Sequence, residues 1–208
     1  MLTMSTLLKP QNSFHHGDLT HALISAGLKQ VEKQGMESLG LRQLAMTTGV
    51  SPAAVYRHFS DLLHLKASIS KACREKMARM MISEMNHVKD SGSKNLEIQR
   101  FKVCGRTYIY FGINHPKLFE IAFTSFDSPE LGPDEPSPWV LLNDCLSRLY
   151  KLDLISAENL EKAPIIAWSA VHGFAGLASQ RMIENKNIAI SQSEVVLDTI
   201  LKSLEIRT

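Results

Sequence analysis
Arg42, Tyr56, Arg57 and His58 fall within one stretch, LRQLAMTTGVSPAAVYRHF, and together offer two guanidiniums, a phenol and an imidazole. Donors of this kind suit a DNA duplex. A guanidinium makes two parallel hydrogen bonds to a guanine edge, and phenol or imidazole groups donate to phosphate oxygens. Arg57 fits the base-reading part, Tyr56 and His58 the phosphate part. Ala53 and Ala54 are small enough to admit a close approach, Ser51 brings a hydroxyl just before them, and Lys66 adds a cation further on.

The same stretch says what must hold these groups. Ala45, Gly49 and Val55 stand at the spacing at which two short helices meet across a tight turn. A small Ala lets the second helix come close, Gly takes the positive φ of the turn, and a β-branched residue plugs the gap beneath. This is a helix-turn-helix pattern, whose second helix is held out for the major groove. In a helix starting at Pro52, Val55 and Phe59 lie one turn apart and face the core, which leaves Ala53, Ala54, Tyr56, Arg57 and His58 outward. Arg42 opens the preceding helix, where unpaired backbone N–H groups suit a phosphate.

Composition limits the alternatives. The chain has 208 residues, 44% of them hydrophobic, enough for one large or two small domains with a buried core. The formal charge of +2 is too small for a uniformly basic nucleic-acid binder, so affinity must come from a few placed donors and from dimerisation. Cys73, Cys104 and Cys145 are odd in number and lack a CxxC pair, as expected of reduced core thiols in a cytoplasmic protein. No apolar run is long enough for a membrane span and the N-terminus does not read as a leader.

Catalysis finds no support. There is no Gly-x-Ser-x-Gly, no Ser-x-x-Lys in a convincing context and no phosphate-binding glycine loop. His15-His16 and His58 with His64 do not match zinc spacings, so neither metal nor cofactor is expected.

The helical period dominates and no alternating strand pattern appears, so the fold should be all-α with about nine helices. A polar arm, 1–14, precedes a helix capped by Asp18 and ending near Gly35. Short helices follow over Arg42 to Thr47 and from Pro52, the latter capped by Ser51. Asp61 opens a long helix to about His87. Next come helices from Asn95 to Asn114 and Lys117 to Phe126, a proline-rich loop, Asp127 to Pro138, and a helix from Trp139 to Leu152. Ser156 caps a long helix to about Asn185 with Pro164 near its start, and Ser191 caps the last, Glu194 to Ile206. The spacing divides the chain into a three-helix DNA-binding unit, 15–62, and a second helical domain, 63–208, that share the long helix from Asp61.

FHHGDLTHALISAG, LRQLAMTTGVSPAAVYRHF and the helix after them resemble the DNA-binding domain of the tetracycline-repressor (TetR) family of bacterial transcription regulators. YFGINHPKLFEIAF and AWSAVHGFAGL are similar to the C-terminal domain of its subgroup with a Trp-His-Gly motif, here Trp168, His172 and Gly173. The resemblance implies a homodimer on a palindromic double-stranded operator, released by a small-molecule effector. It implies an effector pocket built from Met80, Met81, Met85, Tyr108, Phe111, Phe119, Phe123 and Trp139, beside Trp168 and His172. The plainer alternative is that these residues are core. It implies a dimer interface from the last two helices, with Gly173, Gly176, Leu177, Val195 and Ile200. At the position where family members commonly carry a phosphate-binding Lys, this chain has Leu62, with His64 and Lys66 nearby. An activator, or a ligand-binding protein of this fold without DNA binding, is the alternative function.

Overall fold
The computed structural model describes residues 16–126 and 131–206, with side chains from Leu19 onward. The arm 1–14, His15 and the first part of the proline-rich loop lie outside these. Among the described residues the regular structure is entirely helical. The helices are α1 (His16–Gln34), α2 (Leu41–Thr48), α3 (Pro52–Tyr56), α4 (Leu62–Asn86), α5 (Ser93–Asn114), α6 (Pro116–Ala122), α7 (Pro138–Lys151), α8 (Ala157–Ser179) and α9 (Lys186–Ser203). One 3-10 turn, Met36–Ser38, joins α1 to α2.

Local chemistry sets most boundaries. Gly49, at φ 70°, ends α2 in the left-handed conformation, and Val50 N–H reaches back to Ala45 O at 3.1 Å. Ser51 Oγ accepts from Ala54 N–H at 3.2 Å, with Pro52 in the first turn. Asp61 caps α4 by accepting from His64 N–H at 2.8 Å. Val55, Phe59, Leu44 and Ala45 are buried with Leu23, Val31 and Leu65, so α2 and α3 seat on α1 and α4.

Several boundaries differ from expectation, among them the end of α9 at Ser203 rather than Ile206. α1 begins at His16, which leaves Asp18 within its first turn rather than at its cap. α6 is short, ending at Ala122. α8 ends at Ser179, and α9 begins at Lys186, where Asn185 accepts from Ile188 N–H at 3.0 Å. Ser191 therefore lies inside α9. The break is carried by Arg181 at φ 57°, a non-glycine residue in a conformation that usually announces itself as Gly or Asn.

The larger core lies among α4 to α9. At Gly112 a Cβ would sit 3.1 Å from Ala175 O, so α5 and α8 touch backbone to backbone there. Pro164 sits inside α8, its missing N–H leaving one rung open. The corner between α5 and α6 grips the end of α1: Lys117 Nζ donates to Lys33 O at 2.7 Å, and His115 Nδ1 lies 2.5 Å from Glu32 Oε1.

Candidate nucleic-acid interface and effector cavity
On the α2–α3 unit, Arg42, Ser51, Ala53, Tyr56 and Arg57 are exposed and Ala54 is half-buried. α3 is short, so Arg57 is its C-terminal cap residue and not an interior position. His58 turns inward: its Nδ1 lies 2.8 Å from Thr20 Oγ1 on α1, which ties the end of the recognition segment to the first helix. Leu62 and Leu63 are exposed at the start of α4, and Lys66, one turn on, is half-buried.

In the larger core an apolar cavity is lined by Met81, Phe101, Cys104, Gly105, Tyr108, Pro138, Leu142, Ala167, Trp168, Val171, Leu197 and Ile200. Room for the centre of a water-sized molecule amounts to only about 20 Å³, so the side chains are closed over it. Of the residues expected here, Met81, Tyr108 and Trp168 line the cavity. Phe119, Phe123 and His172 pack beside Tyr108 and Trp168, with Trp139 against Trp168 at a ring separation of 5.5 Å. Phe111 is fully buried core, and Met85 faces a separate cleft with Glu97, Arg100, Asp144, Cys145 and Arg148. Met80 is partly buried against the core.

Gly105, Cys104, Val171 and Leu197 were not expected. Their only signal is small or aliphatic character at helical spacing, which plain core shares. Gly105 matters because a Cβ there would lie 2.6 Å from Leu197 Cδ2.

Tyr108, which lines the cavity, pairs with His172 behind it: Tyr108 Oη and His172 Nδ1 stand 2.7 Å apart. Burial pushes the Tyr108 phenol up and the His172 imidazole down from 6.5, so both are neutral at neutral pH. The Trp168 and His172 rings lie nearly parallel, 6° between planes with centroids 6.3 Å apart.

The loop that leads into Pro138 is strapped to α4. Arg74 holds Asp134 through two bonds, Nε to Oδ2 at 2.6 Å and Nη2 to Oδ1 at 3.0 Å, while its Nη1 donates to Ser70 Oγ and Ala122 O. α9 is fixed to α5 by Arg106 on Glu194 and by Lys102 Nζ on Asp198 at 2.8 Å. The Arg106 hydrogen bond holds the Glu194 carboxyl below its usual range.

On the outer face of α8 and α9, Leu177 and Val195 are exposed, and a Cβ on Gly173 or Gly176 would meet nothing within 4 Å. Ile200 differs from expectation. It is 3% exposed and lines the cavity, because α9 turns that face inward onto α5. Among the described residues no three His, Cys, Asp or Glu side chains gather as for a metal ion, and no helix is long and apolar enough to cross a membrane.

Two family models match the chain. That for bacterial regulatory proteins of the tetR family covers 23–61, and that for the tetracyclin repressor-like C-terminal domain covers 101–198. Together they span more than half of the sequence. The chain is similar in fold to a Rhodococcus sp. RHA1 protein of unknown function, with TM-score 0.75, 21% identity and coverage of 94% of this chain and 100% of that one. It is also similar to a TetR-family transcriptional regulator of Pectobacterium atrosepticum, with TM-score 0.70, 14% identity and coverage of 96% and 99%. A third likeness is to a TetR variant of Acinetobacter baumannii AYE in complex with minocycline, with TM-score 0.61, 16% identity and coverage of 89% and 95%. No curated protein matches.

A helix-turn-helix near one end and a helical domain with an apolar cavity at the other make up the fold of a helix-turn-helix regulator. The chain belongs to the TetR family of bacterial regulatory proteins.

Proposed function
We propose that the protein is a cytoplasmic repressor that binds a palindromic operator as a homodimer and releases it when a small molecule enters the cavity between α5, α7, α8 and α9. It is a regulator and not an enzyme. The observation that carries this reading is the apolar cavity lined by α4, α5, α7, α8 and α9 in a chain whose other end exposes Tyr56 and Arg57 on a glycine-turned helix pair. Arg57 reads a guanine edge, and Tyr56, Arg42 and Lys66 hold phosphates. Leu62 supplies none of the anchoring that a Lys would.

The open faces of Gly173, Gly176, Leu177 and Val195 support pairing of two copies through α8 and α9, since small residues let helices approach and exposed apolar side chains gain by burial. The stacked Trp168 and His172 support membership of the subgroup with the Trp-His-Gly motif. The effector is an uncharged, largely apolar molecule, because the wall has no ionised group to balance a charge.

The test is selection of bound duplexes from a random pool by the full chain, followed by shift assays in a salt series. A palindromic consensus bound by two chains is expected. The absence of any specific complex at every salt concentration sinks the regulator reading.

A further inference from the structure
The cleft where α4, α5 and α7 meet differs in kind from the apolar cavity. Charged groups line it, Glu97 and Arg100 from α5 and Asp144 and Arg148 from α7. It leaves about 160 Å³ for the centres of water-sized molecules, against about 20 Å³ in the cavity. A molecule of a few heavy atoms therefore enters without repacking the core.

The charges are only partly paired. Glu97 Oε1 accepts from Arg100 Nη1 at 2.7 Å, whereas Arg148 Nη1 stands 3.8 Å from the same oxygen, too far for a hydrogen bond. Glu97 Oε2 is buried and has no hydrogen-bond partner among the described residues. A buried carboxylate oxygen in that condition is uncommon in a folded chain and leaves a place for a donor. Asp144 is exposed and makes no salt bridge among the described residues.

We propose that this cleft binds an α-amino acid with an aliphatic side chain. Its ammonium meets Glu97 and Asp144, its carboxylate meets Arg148, and its side chain lies against Ile82, Met85 and Leu141, which line the same space. Two carboxylates and two guanidiniums give the cleft no net formal charge. A ligand with a single charge gains from one pair and is repelled by the other, whereas a zwitterion satisfies both.

Because Arg148 and Glu97 stand close together, the cation and the anion that they hold must also be close, as two groups on one carbon atom are. Arg148 makes no hydrogen bond among the described residues, so its fork of N–H groups is open to a carboxylate. Arg100 is already engaged and keeps the Glu97 carboxylate in place. Cys145 Sγ donates to Met85 Sδ across 3.7 Å, so α7 and α4 touch along the cleft and present their apolar side chains together.

A ligand held in this way would join α4 to α5 and α7. Any effect of that on DNA binding rests on the regulator reading, whereas the binding itself does not. The experiment therefore measures the ligand without DNA. The full chain is titrated calorimetrically with L-leucine, and separately with isocaproate and isopentylamine, which keep the leucine side chain but carry one charged group each.

One leucine per chain is expected, bound at least about tenfold more tightly than either single-charge analogue. R148Q should remove the advantage of leucine over isopentylamine, and E97Q its advantage over isocaproate. A merely structural role for either residue would weaken all three ligands alike. No binding of leucine by the wild type, analogues that bind as tightly as leucine, or a leucine affinity unchanged in R148Q overturns the proposal. Arg148 is exposed, so R148Q decides the matter even if E97Q unfolds. Failure of DNA binding alone overturns only the regulator reading.

Discussion
The α2–α3 unit and the core around Tyr108 are built on opposite plans. The first is small, local and outward: Gly49 makes the turn, Ala45 and Val55 fill the joint, and Arg42, Tyr56 and Arg57 project from it. The second is long-range and inward. Its cavity draws side chains from five helices and the nearest polar pair, Tyr108 and His172, is 64 positions apart in sequence. Recognition of a rigid duplex is served by groups fixed on a short scaffold. Accommodation of a small molecule is served by side chains that give way together.

That contrast is broken or sharpened by substitutions that should act on one region alone. The largest effect belongs to the inner one. Phe111→Ala removes a fully buried ring and should cost about 3–5 kcal/mol of stability, read as a lower midpoint in urea. Arg57→Ala should leave that midpoint within about 0.5 kcal/mol, as an exposed side chain does. Its cost should instead appear as a loss of about 1–3 kcal/mol of operator affinity per half-site, with selectivity relaxed at one base pair in each. If Arg57→Ala keeps full selectivity, base reading lies elsewhere on the unit.

Tyr108→Phe should cost about 1 kcal/mol by leaving His172 Nδ1 without its partner, and should alter effector binding while sparing DNA affinity measured without effector. His172 also gives the core an acid limit. Its folded value lies below 6.5, so the unfolded chain binds the proton more readily, and stability is full above pH 6.5 and declines as pH falls through the folded value. Urea midpoints taken against pH should show this in the parent chain and less of it in His172→Gln. The smallest effect is expected from Leu62→Lys, which should steepen the dependence of log affinity on log salt by roughly 0.9 per chain, about 1.8 for the dimer, without changing which sequence is chosen.

The outer region was almost fully legible in the sequence because its rules act over a few residues. Ser51, Pro52, Asp61 and Gly49 do in the structure what their types and positions announce. His58 is the exception: its tie to Thr20 depends on how α1 lies across α3, which no local spacing encodes. Inside, the helices were legible but their partners were not. Ile200 reads as well for an outer face as for an inner one until the rotation of α9 is known. The α8 end was missed because Arg181 turns the chain without a glycine. Cavity walls made of Gly105, Val171 and Leu197 carry no signal beyond that of any core, since what makes them a wall is the crossing of α5 over α8 and α9.

The contact of Gly112 with Ala175 bears on how that wall can move. Backbone meets backbone there, with no side chain to flex, so α5 and α8 cannot come closer at this point, and a change in the angle between them turns about it. Gly105 stands seven residues along the same helix, a lever arm of about 10 Å at 1.5 Å per residue, so a tilt of about 10° shifts the cavity end by roughly 2 Å. On the proposed function, this fulcrum would turn the arrival of a molecule in the cavity into rotation of α5, toward the α5–α6 corner that holds Lys33 and Glu32 at the end of α1.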